Sequence, residues 1–449
     1  MKITIAGPGA GKTSNLSNSV LEQIPHVQGS KWIFVITYTN NAVNVIKSKL
    51  SNYPESVIKK VYVSTIHSFL LSEIIFPYHH FLYPIKFNRA TSITLPENVK
   101  YRAKKCRSLH DNGTIHNSEV FKIAKNLVVG KSNDNLKIKS LRIRIIDNFR
   151  SYISDIFVDE AQDIDEDFSQ VLQVFENNGI HITLIGDPNQ NIRSCKGFES
   201  LITKCAPDYL TDNHRSPENH VTLLNKFVNV GQQQNCCSHT DGELDLIMGN
   251  KVEPNVVLQN LWDLVYIYET SHEFLTKPSI NIMVDFFDSL LEFSRTLPID
   301  EPEKHCFKIL EVAKDKKKID SYRCISYLER ISGKTLSNIE RAQIHEICNK
   351  LTKVGKTSQF VANSIDSIKG CEGERCLFIL TSDLVPYLLE PNHEINQTKC
   401  KLFVALSRSK RNLTIYVHKS VFCKVTETNL LSKLTSYGFI DKTIEYVGR

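Results

Sequence analysis

Gly7-Pro8-Gly9-Ala10-Gly11-Lys12-Thr13, followed by Ser14, is a run of residue types suited to holding a chain of phosphates. Glycines let the backbone approach a ligand closely, and N–H groups at a helix N-terminus then face its negative charge. A lysine closing such a loop reaches the outer phosphates, and the hydroxyl beside it offers an oxygen to a divalent cation. Read from Ala6 to Thr13, the run fits the Walker A pattern if alanine is admitted for the first glycine. Glycine-rich turns also occur for packing alone. The second candidate is Asp159-Glu160-Ala161-Gln162-Asp163, directly after an apolar run. Adjacent carboxylates at a strand end repel each other, and a bound cation is the natural reason to place them there. On this reading Asp159 holds magnesium opposite Thr13, and Glu160 polarises an attacking water as general base. The bland alternative is a solvated loop opening a helix, whose first turn favours acidic residues.

The elements that must position these groups alternate regularly. Lys2 to Ala6 reads as a short buried strand entering the glycine loop, and Ser154 to Val158 as the strand entering Asp159. Between them, Trp32 to Thr37 leads into Tyr38-Thr39-Asn40-Asn41-Ala42 and a helical pattern through Val45, Ile46 and Leu50. A strand from Lys60 to Ser64 leads into Thr65-Ile66-His67-Ser68-Phe69. A helix over roughly Phe168 to Phe175 stops at Asn177, Asn178 and Gly179, and the strand Ile180 to Ile185 follows. Such alternation predicts a doubly wound parallel sheet with its ligand crevice at the strand C-terminal ends, where each of these motifs falls.

Two stretches interrupt the alternation. Leu71 to Arg150 carries basic clusters at Lys104, Lys105 and Arg107 and at Lys137, Lys139, Arg142 and Arg144, readable as phosphate contacts or as solvated faces. From about Asn255 to Lys356 the spacing is predominantly helical, with Ile282, Phe286, Leu290 and Phe293 on one face and a capping box at Ser337 and Glu340. Lys314, Lys316, Lys317 and Lys318 read as a solvated turn. Alternation resumes through Cys376 to Leu380 and Leu413 to Val417, implying a second α/β domain. A chain of 449 residues has room for both. With 55 basic against 49 acidic residues, the net charge of +6 permits nucleic-acid binding without demonstrating it. No apolar run has membrane-spanning length, and the chain opens on a strand instead of a signal peptide, so a cytoplasmic protein is expected. Twelve irregularly spaced cysteines read as reduced thiols; Cys236, Cys237 and His239, and Cys371 with Cys376, lack ordinary zinc spacings.

Taken together, these elements resemble the superfamily 1A DNA helicases and translocases of the UvrD, Rep and PcrA type. Motif I is Ala6 to Thr13, motif Ia Thr37 to Ala42, the next DNA-contact motif Thr65 to Ser68, and motif II Asp159 to Asp163. Gly186 to Gln190 looks like motif III, Asn213 to Ser216 like motif IV, Ser364 to Glu372 like motif V, and Val404 to Lys410 like motif VI. The resemblance implies an α/β fold with two RecA-like P-loop domains of parallel sheet, each carrying a mainly helical insertion. It sets the first domain at 1–70 and 151–215, an inserted subdomain at 71–150, the second domain at 216–254 and 357–449, and a helical insertion at 255–356. It implies ATP and magnesium between the domains, Gly7 to Ser14 around the phosphates, Arg215 and Arg408 as arginine fingers, and Gln190 sensing the γ-phosphate. His214 would stack on the base and Glu372 hold the ribose. For single-stranded DNA it implies stacking on Tyr38 and backbone contacts from Thr37, Asn40, Thr65, His67 and Ser364, with travel 3′ to 5′. Tyr38 can also be read as a packing residue.

The pattern departs from the family in several places. The family's adenine-reading glutamine precedes motif I, where this chain offers no residues, leaving base specificity open. Asn191 to Lys196 lacks the aromatic platform of motif III, though Arg193 and Lys196 remain for phosphates. His214 replaces a common tyrosine, and Asp366 and Gly373 stand where histidine and an aromatic are common. Compact helicases of phage defence, the Gabija helicase component among them, share the size and motif layout, which makes a nuclease subunit a candidate partner. Two functions follow: a DNA-dependent ATPase moving on single strands with duplex unwinding, or a nucleotide- and DNA-end-sensing subunit controlling a nuclease or effector. A small-molecule kinase would account for the loop but not for motifs Ia, III, V and VI.

Overall fold

The computed structural model describes residues 1–95, 98–268, 274–276, 281–316, 320–352 and 360–447. Contacts divide the chain into two compact units, one of 1–84, 121–276 and 360–449, the other of 85–120 and 277–359.

The first unit holds two large parallel sheets. Strands β1 (Lys2–Ala6), β2 (Trp32–Thr37), β3 (Val61–Thr65), β4 (Ile153–Val158), β5 (His181–Gly186) and β6 (Asp208–Leu210) assemble in the order β3-β2-β4-β5-β1-β6. Their apolar runs are nearly continuous because helices cover both faces of a parallel sheet. One face packs Leu16, Val20, Ile46 and Leu50 of helices Lys12–Gln23 and Asn40–Leu50 against Val35, Val63 and Phe157. Ile5 pairs with Gly186, Val158 with Ile36 and Thr37 with Thr65, so the strands end together and their loops share one edge. The crevice expected from the sequence is that edge.

The second sheet comprises β7 (Glu243–Met248), β8 (Leu264–Ile267), β9 (Phe274–Thr276), β10 (Phe360–Ser364), β11 (Gly373–Leu380), β12 (Ser409–Val417) and β13 (Ile440–Asp441), ordered β9-β10-β8-β11-β12-β7-β13. The fold is therefore α/β with two RecA-like parallel sheets. Tyr266 of β8 stacks on Phe378 of β11 with ring centroids 5.6 Å apart, and its buried hydroxyl donates to Ala405 O at 2.6 Å. That bond anchors helix Gln397–Leu406, whose end delivers Arg408. Strands β8 and β9 lie in the stretch whose spacing reads as helical, because a four-residue apolar run has no period to distinguish it. Arg142, grouped by sequence with the basic clusters, is buried and paired with Asp134, its Nε donating to Leu127 O at 3.0 Å. It is not available to a phosphate.

The second unit is mainly helical. Phe286, Leu290 and Phe293 of helix Asn281–Ser294 pack with Leu310, Leu328 and Ile344 of its neighbours. The capping box forms: Ser337 N donates to Glu340 Oε2 at 2.7 Å and Glu340 N to Ser337 Oγ at 3.3 Å. Lys105 is spent on Glu292. Lys317 and Lys318, and the side chains of Lys314 and Lys316, lie outside the described residues.

Gly197, just past β5 and opening helix Gly197–Ile202, has no room for a side chain: a Cβ there would lie 2.1 Å from Asp165 O and 2.6 Å from Ile164 O. Both obstacles are backbone and cannot swing aside. Gly197→Ala is expected to cost about 3 kcal/mol in urea denaturation, while Gly231→Ala, whose Cβ meets nothing within 4 Å, is neutral.

Candidate functional site

The loop after β1 curls because Gly9 and Gly11 adopt left-handed conformations, with φ of 76° and 71°. Gly11 caps helix Lys12–Gln23 without a side-chain bond, leaving the first N–H groups of the helix without a side-chain cap. Lys12 Nζ folds back to 3.3 Å from both Ala6 O and Gly7 O, and the Ser14 hydroxyl accepts from Lys49. Thr13 Oγ1 reaches across the end of β5 and donates to Asp159 Oδ2 at 3.1 Å.

Around Asp159 the edge is crowded with carboxylates. Burial and then the neighbouring Glu160 charge push the Asp159 carboxyl up to about 6, against the pull of Lys12. Burial also opposes ionisation of Glu160, but Lys369 and Lys12 outweigh it and hold its carboxyl below the ordinary range. Glu160 sits at φ 54°, rare for a residue with a side chain, and is fixed there by its N–H on Asp159 Oδ1 at 2.9 Å and by Gln162 Nε2 on its carboxylate. Gln162 in turn accepts from Asp187 N at 2.9 Å. Lys369, from the segment after β10, lies 2.6 Å from Asp163 Oδ2 and 3.9 Å from Glu160 Oε2. Gln190 Nε2 donates to Asp187 Oδ2 at 2.8 Å.

The second sheet supplies further cations to this edge. Arg408 is 3% exposed, and its Nη2 donates to Gln190 Oε1 at 3.3 Å while its Nε holds Val404 O at 2.9 Å. Burial first, then Arg215, lower its guanidinium to about 10, so it stays charged at neutral pH. Arg215 Nη2 donates to Ser407 O at 3.0 Å and Nη1 pairs with Glu372, whose other oxygen is 3.3 Å from Lys410. Glu372 is thus engaged by two cations. His214 is exposed, its N–H on Gly9 O at 3.1 Å.

The residues expected at nucleic acid are less uniform. Tyr38 donates its hydroxyl to Asp163 O and lies beneath Arg193, whose guanidinium carbon is 5.2 Å from the ring centroid. His67 packs edge-on to Phe121 at 4.8 Å, its imidazole lowered by burial and then by Arg193. Asn40 and Lys196 are exposed. Thr65 caps helix Ile66–Phe69 through Ser68 N at 3.2 Å, and Ser364 Oγ accepts from Ser367 N at 3.2 Å. Thr37 is fully buried, and its Oγ1 has no partner among the described residues. Tyr38, His67 and Arg193 are brought together; Thr37 is not with them at the surface. Sequence reasoning assigned no part to Lys369, Asn213 or Gln162. Lys369 had a signal, being the one cation within motif V.

Residues 1–196 match the AAA domain family AAA_19. A probable DNA helicase II homolog of Mycoplasma capricolum is 22% identical over 276 residues, covering 50% of this chain and 38% of that protein. The ATP-dependent DNA helicase Rep of Buchnera aphidicola is 26% identical over 277 residues, 50% of this chain and 42% of its own. The chain thus spans about two fifths of those two relatives. Gabija protein GajB of Bacillus cereus is 25% identical over 393 residues, 81% of this chain and 74% of that protein. Among the described residues no helix is long and apolar enough to cross a membrane. With its ordered motifs converging on one edge between two parallel sheets, the chain is similar to the UvrD-like proteins of superfamily 1.

Proposed function

We propose that this chain is a DNA-dependent ATPase that translocates along single-stranded DNA, 3′ to 5′, and separates duplexes as it moves. The observation that carries the reading is the contact of Arg408, from the second sheet, with Gln190 at the acid-lined edge of the first. A site shared in this way can couple hydrolysis to relative movement of the sheets. The names of the helicase II homolog and of Rep support the same activity.

A magnesium ion fits the chemistry present. Thr13 offers a hydroxyl and Asp159 a carboxylate 3.1 Å away, and the upward push on Asp159 marks a buried anion in need of a cation. When bound, the ion neutralises phosphate charge. The loop N–H groups and Lys12 would hold the phosphates, with Lys12 exchanging two backbone carbonyls for anionic oxygens. Glu160, kept ionised by Lys369 and Lys12, would orient and deprotonate the attacking water. Arg408 and Arg215 would meet charge developing on the γ-phosphate. Exposed His214, beside Gly9, would face the base. Strand binding would use Arg193 and Tyr38 as a stacking pair and Asn40 and Lys196 at phosphates.

The likeness to GajB over most of both chains supports a setting in phage defence with a nuclease partner. Such a role would add to the motor activity.

Lys12→Ala and Glu160→Gln should each lower DNA-stimulated hydrolysis by roughly 100-fold or more; near-normal turnover in either variant defeats the reading. Gln190→Ala, which removes the partner of Arg408, should leave nucleotide binding nearly intact and abolish stimulation by single strands, measured as the ratio of rates with and without DNA. Strand displacement from a duplex with a 3′ tail but not a 5′ tail is the expected polarity, and the converse preference would reverse it.

A further inference from the structure

We infer that Asn213 is a positioning residue that locks the phosphate loop to the backbone of Arg215, so that loop and arginine move as one body. The inference rests on the nucleotide reading above. Asn213 is fully buried at the end of a two-residue strand, Asp212–Asn213, and its amide works in two directions. Nδ2 donates to Pro8 O at 2.8 Å and to Gln234 Oε1 at 3.1 Å; Oδ1 accepts from Arg215 N at 3.0 Å and Ser216 N at 2.9 Å. All four hydrogen-bonding valences of the amide are used, and only a carboxamide offers two donors and a two-pair acceptor at this length.

The loop is shaped around this side chain. A Cβ on Gly9 would stand 2.4 Å from Asn213 Oδ1, and Gly9 already sits at φ 76°. His214 N–H adds a backbone bond to Gly9 O at 3.1 Å. Gln234 buttresses the amide from behind, so close to Gly7 that a Cβ there would lie 2.7 Å from its Cδ. The guanidinium of Arg215 points the other way, to Ser407 O and Glu372 beside the second sheet. Arg215 is therefore fixed by its backbone to the phosphate loop and by its tip to the second sheet. Asn213 makes the first attachment, and with it the register between the γ-phosphate position and the arginine.

A purely structural role for Asn213 would weaken every nucleotide equally. Acting through Arg215, it should weaken triphosphate selectively. The test measures the affinities of the full chain for ADP and for a non-hydrolysable ATP analogue, together with DNA-stimulated turnover, in Asn213→Ala, Arg215→Ala and the double variant. Asn213→Ala should cut turnover and the triphosphate-over-diphosphate affinity ratio by about tenfold each, and the double variant should lose no more than Arg215→Ala alone. Asn213→Asp should fail to rescue, since a carboxylate cannot donate to Pro8 O. Losses that multiply in the double variant, or an unchanged affinity ratio, overturn the inference. If Asn213→Ala does not fold, Gln234→Leu, which removes one support of the amide, should lower the ratio by a smaller factor, and no change there overturns it equally. Should the wild-type chain hydrolyse no nucleotide, the proposed function fails while the affinity ratio still reads the lock.

Discussion

The crevice depends on an electrostatic balance: four carboxylates, of Asp159, Glu160, Asp163 and Asp187, gathered at the ends of β4 and β5 and held against cations that no single element provides. Burial alone would drive all four toward the protonated form. Lys12 comes from the phosphate loop, while Lys369 and Arg408 come from segments bordering the second sheet. A buried charge that loses its partner is costly, by about 3–5 kcal/mol for a broken pair. The acids of one sheet therefore hold the cations of the other. Lys12, Lys369 and Arg408 are thus the cations on which these acids depend, two of them from beside the second sheet.

Within that balance, two adjacent carboxylates are driven apart. Asp159 is pushed up by burial and by Glu160, whereas Glu160 is held down by Lys369 and Lys12 despite burial. Lys369, 3.9 Å from Glu160 Oε2, is the first of the charges that hold the second carboxyl down. Backbone supports the division. The left-handed turn at Glu160 persists because Gln162 bonds both the Glu160 carboxylate and Asp187 N. Gly186 belongs to the same design: a Cβ there would come within 2.9 Å of Gln162 N, so β5 approaches the acidic turn only because it ends without a side chain.

Much of this was legible in the residues and some was not, for physical reasons. Strands buried on both faces leave continuous apolar runs, so β1 and β2 were readable to the residue. β11 begins at Gly373, three residues before the apolar run, because pairing with Ser409 extends the ladder through exposed Glu374 and Arg375, where hydropathy is silent. The short β8 and β9 carry no period at all. The chemistry-bearing motifs were visible as types and spacings, yet their pairings were not: Lys369 on Asp163, or Glu372 between Arg215 and Lys410, join residues far apart in the chain. Asn213 was hidden differently. A single polar residue at a strand end is unremarkable in sequence, and only its four bonds and the crowding at Gly9 reveal what it holds.

Tyr38 joins Arg193 to the acidic edge. An aromatic residue offered for stacking would be expected to leave its ring free, but this one is committed at both ends, its face beneath Arg193 and its hydroxyl on the carbonyl of Asp163. Burial and then the charge of Asp163 push its phenol far above the ordinary range, which favours the protonated, donating form. The carboxylate of the same Asp163 holds Lys369, which in turn lies near Glu160. The Tyr38 ring is therefore tied through its hydroxyl to the residue that holds Lys369. Because Lys369 is also a main reason the Glu160 carboxyl is held below the ordinary range, the chain of contacts runs from Tyr38 through Asp163 and Lys369 to Glu160. Arg193 thus has two neighbours at once: after burial, its charge lowers the His67 imidazole, and its guanidinium covers the tyrosine ring.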